Sequence, residues 1–222
     1  CLIEAANDPD VISIKQTLYR VGNDSAIIRA LAQASENGKD VTVLVELKAR
    51  FDEQSNLNYA TALEESGCHV IYGKDNLKVH AKSILITRKN KRSVDYICHL
   101  GTGNYNESTA KLYTDVGLLT SDRIIAEDLI NFYNDLAGSE REEYQKLLVS
   151  PNGIRNAMYK LIDKEISNVN HGGKGLIIAK LNSLADKGMI DKLIEASKSG
   201  VKIQLIVRGI CCLNAGINGQ TE

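Results

Sequence analysis

An internal repeat constrains the fold of this chain more than any other feature of its sequence. Residues 27–38 have the apolar spacing of an amphipathic helix that ends on a glycine, and an apolar stretch follows at residues 41–47. The same order recurs at residues 189–200 and 203–207, and the two helix-ending glycines are 162 residues apart. A repeated helix–glycine–strand unit predicts two copies of one α/β unit. Chance similarity between two such units is the alternative interpretation.

The order of strand and helix patterns predicts an α/β fold with mixed sheets, with a first unit at residues 1–147 and a second at residues 148–222. In the first unit we expect strands at residues 11–18, 41–47, 69–72, 79–87, 96–101 and 116–120. We expect helices at residues 25–37, 57–66 and 122–136. The second unit lacks a match for most of residues 50–120, so we expect it to be incomplete.

Composition and charge narrow the classes of function. The 222 residues are 43% hydrophobic and 25% charged, with a formal net charge of −1. This balance argues against broad electrostatic binding of nucleic acid but permits a polyanion site in one cleft. No apolar run approaches the roughly 18 residues that a membrane span needs. The chain begins without an initiator methionine or a signal-peptide pattern, and we interpret it as part of a longer protein.

The cysteines indicate the compartment. The chain has five cysteines, none with the spacing of a zinc site, and four of them lie in apolar stretches. This pattern predicts reduced, buried thiols in a cytoplasmic protein.

His80 and Lys82 are the first candidates for catalytic residues. They are two positions apart in the strand predicted at residues 79–87, so both side chains should leave the same face of the sheet. A neutral imidazole can act as a nucleophile at physiological pH, and a nearby ammonium would stabilise an incoming phosphoryl group. The alternative interpretation is a strand face that is simply solvated.

Two further features suit an anionic ligand. The loop Gly101-Thr102-Gly103-Asn104 follows a strand, and Asn104 is placed either to orient the histidine or to bind an oxygen atom. Arg20 and Arg50 end strand-like segments, where ligand sites of α/β sheets gather and where guanidinium groups suit phosphate. Surface ion pairs are an alternative role for these arginines. The chain contains neither a Walker A sequence nor a complete dinucleotide fingerprint.

The other histidines and the compact basic run have simpler interpretations. His69 and His99 lie in apolar strands and are predicted to be structural, whereas His171 is predicted to lie in a solvated loop. The basic run at residues 88–92 is predicted to form an exposed hairpin tip, with a track for polyphosphate as the alternative.

Six segments in this order resemble bacterial polyphosphate kinase of the first family: TLYR at residues 17–20, VELKARFDE at 45–53, KVHAK at 78–82, GTGNYNE at 101–107, LYTD at 112–115 and VRGICC at 207–212. The chain also resembles the wider phospholipase D superfamily, which pairs an H-x-K motif with a later G-[ST]-x-N element in each of two halves. Phospholipase motifs carry an aspartate seven residues after the histidine, where this chain has Thr87. The resemblance implies two phospholipase D-like units.

The family resemblance also implies roles for individual residues. His80 matches the phosphorylated histidine of the family, and Tyr113 and Arg208 match positions that contact the nucleotide. Arg20 and Arg50 match positions associated with magnesium. Because a cation is a poor ligand for another cation, we expect these two arginines to bind phosphate oxygens that Mg²⁺ also binds.

Three more residues are assigned on the same basis. Lys82 would assist catalysis beside the histidine, Asn104 would bind phosphate, and Asp115 would support the site. The family's second catalytic histidine would lie beyond Glu222, so we expect the 222-residue chain alone to be inactive or nearly so.

The resemblance implies reversible transfer of the terminal phosphate of ATP to inorganic polyphosphate through a phosphohistidine. Mg²⁺ would be the cofactor, ATP and ADP the nucleotide substrates, and the complete enzyme a cytoplasmic homo-oligomer that does not bind nucleic acid. Two alternatives remain open at this point. One is a phospholipase D-like phosphodiesterase or nuclease, and the other is a polyanion-binding module without catalytic activity.

Overall fold

The computed structural model describes residues 1–19, 21, 25–46, 53–73, 77–139, 143–151 and 153–221, and of residues 53–55 only the backbone. The chain divides into two compact units, Cys1–Leu147 and Leu148–Glu222. Each unit is described by itself. Among the residues that the structure describes, no helix is both long enough and apolar enough to cross a membrane.

The first unit is built on a six-stranded mixed sheet. Its strands are β1 (Val11–Leu18), β2 (Asp40–Val45), β3 (His69–Tyr72), β4 (Ser83–Asn90), β5 (Ser93–Gly101) and β6 (Gly117–Thr120). They lie in the order β3-β2-β1-β4-β5-β6. The β1–β2 and β2–β3 pairs are parallel, and the β1–β4, β4–β5 and β5–β6 pairs are antiparallel. The predicted mixed sheet is confirmed.

Helices cover both faces of this sheet. The first unit contains α1 (Leu2–Asn7), α2 (Ala26–Glu36), α3 (Glu53–Glu65), α4 (Glu107–Ala110) and α5 (Arg123–Leu136). One core cluster joins Ile14 of β1 to Leu31 of α2 and Leu63 of α3. A second cluster, on the other face, joins Leu85 of β4 to Leu129 of α5. Each such buried aliphatic side chain stabilises the fold by about 1.5–3 kcal/mol relative to an exposed one.

The second unit repeats part of the first. It contains α6 (Ile154–Asn170), β7 (Leu176–Leu181), α7 (Lys187–Lys198) and β8 (Lys202–Val207), and β7 pairs with β8 in parallel. Thus β7–α7–β8 has the same order and strand direction as β1–α2–β2. Gly38 and Gly200 follow the two equivalent helices with φ angles of +81° and +90°. Glycine adopts this left-handed conformation without the steric cost that a Cβ would add, which explains the glycine that ends each copy.

Several predicted boundaries need correction. Helix α3 begins at Glu53 rather than at residue 57, and three helices, α1, the short α4 and α6, were not predicted. The most consequential error is that β4 begins at Ser83 rather than at residue 79, so residues 79–82 precede the strand. The predicted strand end at Leu47 lies outside the described residues.

The prediction that four of the cysteines are buried is partly wrong. Cys68 and Cys98 are buried in the first unit, whereas Cys1, Cys211 and Cys212 are exposed, and all five are free thiols. Cys211 and Cys212 follow the final strand of a two-stranded sheet. The apolar residues around them in the sequence are the reason that an interior position was expected.

Candidate functional site

His80 lies on an extended segment that leads into β4, and its side chain is exposed. Its neighbours Val79 and Lys82 are buried, with exposed fractions of 8% and 5%. The prediction that His80 lies within a strand was wrong, because the pairing of β1 with β4 ends at Gln16 and Ile84. The exposed imidazole is therefore carried by a short segment whose other side chains anchor it to the protein.

The hydroxyl group of Thr17 bonds to the backbone of the His80 segment at the point where the backbone pairing of β1 with β4 ends. Thr17 Oγ1 donates to the carbonyl oxygen of Ala81 at 2.9 Å and accepts from the backbone N–H of Ser83 at 2.9 Å. On the next strand, the N–H of Gly101 donates to the carbonyl oxygen of Lys82 at 2.9 Å. These bonds fix the backbone on the C-terminal side of His80.

A second group of buried side chains fixes the backbone on the N-terminal side. The carboxylate of Glu46, at the end of β2, accepts from the N–H of Val79 at 2.7 Å. Asn56 of α3 donates its side-chain N–H groups to the carbonyl oxygens of Glu46 at 2.9 Å and Tyr19 at 3.0 Å. Both Glu46 and Asn56 are almost inaccessible to solvent. The ends of β1 and β2 are thus tied to each other and to the His80 segment.

The ring of Tyr19 contacts three side chains around it, those of His80, Lys78 and Lys82. It meets the imidazole of His80 edge to face, with centroids 4.7 Å apart and planes at 83°. The ammonium groups of Lys82 and Lys78 lie 4.9 and 5.8 Å from its centroid. Lys82 Nζ also donates to the carbonyl oxygen of His80 at 2.5 Å. His80 and Lys82 therefore meet at an aromatic ring, and not as neighbours on one strand face. Sequence reasoning did not single out Tyr19, although the TLYR segment contained it.

The Gly-Thr-Gly-Asn loop lines a cavity of about 520 Å³ that also includes Tyr113 and Asp115. Three residues predicted for the site, Asn104, Tyr113 and Asp115, thus share one cavity wall. The side-chain oxygen of Asn104 is buried there without a hydrogen-bond partner. Asp115 is held by a hydrogen bond that Thr102 Oγ1 donates at 2.9 Å. Buried polar atoms in proteins usually have a hydrogen-bond partner, so an unpaired oxygen in a residue that lines a cavity marks Asn104 as a candidate ligand contact.

His99 contributes to the same cavity, although it was predicted to be only structural. Its Nδ1 forms a hydrogen bond of 2.8 Å with the hydroxyl of Tyr105, so the histidine is satisfied as expected. Burial lowers the pKa of His99 and raises the pKa of Tyr105, because desolvation disfavours the charged form of each group. Both groups are therefore held neutral at the wall of the cavity.

The remaining predicted residues lie away from this cavity or outside the residues that the structure describes. Arg20 and Arg50 lie outside the described residues. Arg208 follows β8 in the second unit, where it is exposed, and its backbone N–H donates to the carbonyl oxygen of Leu181 at 3.1 Å. His69 is exposed on the edge strand β3 and was wrongly predicted to be a satisfied interior residue.

One simpler prediction is confirmed, and another is confirmed in part. His171 caps the C-terminal end of α6 and is exposed. Lys91 and Arg92 form the exposed turn of the β4–β5 hairpin, as predicted for residues 88–92, but Arg88 lies within β4, where it is half-buried and forms ion pairs with Asp8 and Asp10.

The described residues also bear on metal binding. Within these ranges no group of three or more histidine, cysteine, aspartate or glutamate side chains is placed to hold a metal ion. A Mg²⁺ ion in a phosphoryl-transfer site commonly keeps several waters and is bound by one or two carboxylates together with the phosphates of the substrate. The part of the chain that the structure describes thus contains no all-protein cage for a metal ion.

Comparisons with known proteins cover the whole chain. The family model described as polyphosphate kinase C-terminal domain 1 matches residues 1–142, and that described as polyphosphate kinase C-terminal domain 2 matches residues 147–222. The curated polyphosphate kinase of Staphylococcus epidermidis is 57% identical over 220 residues, and that of Exiguobacterium sibiricum is 55% identical over 222 residues.

These two alignments cover 99% and 100% of this chain but only 30% and 31% of the relatives, so the chain spans about a third of their length. The crystal structure of polyphosphate kinase from Porphyromonas gingivalis matches with a TM-score of 0.88 and 43% identity. This match covers 99% of the present chain and 37% of the other one.

Proposed function

Because the chain belongs to the polyphosphate kinase C-terminal domain family, we propose that its protein transfers the terminal phosphoryl group of ATP reversibly to inorganic polyphosphate through a phosphohistidine at His80. The observation that carries this proposal is the position of His80, an exposed imidazole on a segment whose backbone is held by buried groups. A nucleophile needs both access to its substrate and a fixed direction of attack.

The proposed reaction has two steps. In the first, a neutral ring nitrogen of His80 forms a bond to the γ-phosphorus of ATP, and the bond from that phosphorus to the bridging oxygen breaks, so ADP leaves with the electron pair. In the second, a terminal oxygen of polyphosphate attacks the phosphorus and the nitrogen–phosphorus bond breaks. The ammonium groups of Lys78 and Lys82 near His80 would favour the approach of anions.

The cavity of Asn104, Tyr113 and Asp115 is the candidate nucleotide site of this unit. Two features favour a hydrogen-bond donor of the ligand there, such as a ribose hydroxyl or an amino group. The side-chain oxygen of Asn104 is an unpaired acceptor, and the carboxylate of Asp115 lines the same cavity. The side-chain NH₂ of Asn104 would then be the group that donates to phosphate. Tyr113, which is 44% exposed, offers an aromatic surface beside them.

Mg²⁺ fits this proposal as an ion that enters with the nucleotide. Bound to the phosphates, it would neutralise charge that develops on the transferring group. Arg20 and Arg50 are proposed to bind phosphate oxygens, and Arg208 is proposed to contact a nucleotide.

The test is phosphate labelling of the full-length protein with ATP that carries a radioactive γ-phosphate. The wild-type protein should retain acid-labile, base-stable label, and His80→Ala should abolish it. His69→Ala is the matched control, because this exposed histidine lies on β3 of the same unit and should not affect labelling. Labelling of His80→Ala at the wild-type level would refute the proposal.

A further inference from the structure

The geometry points to Tyr19 as the positioning residue of His80. We propose that its ring fixes the orientation of the imidazole and, at the same time, gathers the ammonium groups of Lys78 and Lys82 beside it. This inference rests on the proposed phosphohistidine and adds a residue that determines how fast it forms. Four contacts carry it.

The first contact is between the two rings. An exposed imidazole can rotate about its side-chain bonds, and most of its orientations turn the nucleophilic nitrogen away from phosphorus. The edge-to-face contact with Tyr19, at 4.7 Å and 83°, is a favoured aromatic geometry. It favours one orientation of the imidazole over the alternatives.

The second contact fixes the backbone of Tyr19. Its carbonyl oxygen accepts from the side chain of Asn56, which also donates to the carbonyl oxygen of Glu46. The carboxylate of Glu46 in turn accepts from the N–H of Val79, the residue before His80. Both partners of the ring contact are thus tied to the same end of β2. These bonds fix the backbone from which the Tyr19 ring extends toward the imidazole.

The third and fourth contacts involve the two lysines. The face of an aromatic ring attracts ammonium groups but carries no net charge. Tyr19 can therefore stabilise Lys78 and Lys82 at 5.8 and 4.9 Å without repelling the phosphates of ATP, as a carboxylate in its place would. Lys82 Nζ also binds the carbonyl oxygen of His80, so this lysine links the ring to the backbone of the nucleophile.

The experiment compares Tyr19→Leu with Tyr19→Phe in the full-length protein. The rate of His80 labelling is measured in a single turnover, and kcat and KM for ATP are measured at steady state. Loss of the ring should lower the labelling rate and kcat by about 2- to 10-fold, the change in population that one aromatic contact of this kind can produce. The KM for ATP should change less than kcat, because the ring acts on the histidine directly and on the nucleotide only through Lys78 and Lys82. Tyr19→Phe keeps the ring and should restore most of the rate.

Circular dichroism and thermal unfolding check that each variant folds. If Tyr19→Leu does not fold, Tyr19→Met, which fills a similar volume without a ring, takes its place. Labelling at the wild-type rate in a folded variant without the ring would overturn the inference, and so would a loss in Tyr19→Phe as large as in Tyr19→Leu. Failure of the proposed function gives a different result, since the wild-type protein itself would then carry no label at His80.

Discussion

Replacement of Thr17 by valine removes one oxygen atom from the junction between β1 and the His80 segment and leaves the shape of the side chain nearly unchanged. The hydroxyl of Thr17 donates to the carbonyl oxygen of Ala81 and accepts from the N–H of Ser83, both at 2.9 Å. Thr17 and Ser83 are each only 1% exposed, so water cannot easily replace the lost bonds. The substitution therefore isolates the energetic effect of two backbone groups that lose their partner.

The expected loss of stability follows from those two groups. A buried donor or acceptor without a partner costs about 1–3 kcal/mol, and the carbonyl of half-buried Ala81 should fall at the lower end of this range. We therefore expect Thr17→Val to lower the free energy of unfolding by about 2–4 kcal/mol. Thr17→Ser keeps the hydroxyl and loses one methyl group, which should cost about 1 kcal/mol.

Two measurements test this reasoning. Urea unfolding followed by circular dichroism gives the free energy of unfolding of each variant, and hydrogen exchange with mass spectrometry reports the protection of a peptide that contains Ser83. Thr17→Val should accelerate exchange of this peptide, whereas Thr17→Ser should not. If Thr17→Val proves as stable as Thr17→Ser and protects the peptide equally well, the hydroxyl does not hold the His80 segment and the argument is refuted.

Two further predictions concern the cavity. Gly103→Ala would place a Cβ 2.7 Å from the carboxylate carbon of Asp115, so it should lower the thermal unfolding midpoint. A second substitution, Asp115→Ala, removes the clashing carboxylate and should relieve most of that loss. Additive losses in the double variant would contradict this explanation. Because burial lowers the pKa of His99 in the folded protein, the unfolded state binds more protons, and stability should fall as the pH drops below about 6.5, the ordinary value. Urea midpoints between pH 5 and 8 should fall less steeply for His99→Gln, and equal slopes would exclude His99 as the cause.

Periodicity and glycine positions were sufficient to predict most of the first unit. Helix α2 was predicted within one residue at each end because Ser25 caps its start and Gly38 follows its end. Strand β3 was predicted with its observed bounds. These signals come from residues that are neighbours in the sequence, so they can be recognised without knowledge of the tertiary structure.

The surroundings of His80 could not be predicted in the same way. An apolar alternating stretch predicted that β4 would include His80 and Lys82, but strand pairing depends on the neighbouring strand, and Thr17 of β1 replaces backbone pairing with its side chain. The contact of Tyr19 with His80 joins residues 61 positions apart and depends on the antiparallel pairing of β1 with β4, which brings the end of β1 beside the segment that precedes β4. Side-chain contacts of this range carry no periodic signal in the sequence.

The proposed nucleophile and its buried supports have opposite physical requirements, and different elements of the fold meet them. In the proposed reaction His80 has to reach a polyanion in solvent, so it cannot be held by burial of its own side chain. Its backbone is held instead by Thr17 of β1, Glu46 at the end of β2 and Gly101 of β5, which approach the segment from three sides. Since these three supports lie far apart in sequence, their arrangement around His80 requires that β1, β2, β4 and β5 have come together in the sheet. Substitutions in the sheet that never contact a substrate should therefore alter the rate of phosphoryl transfer through the position of His80.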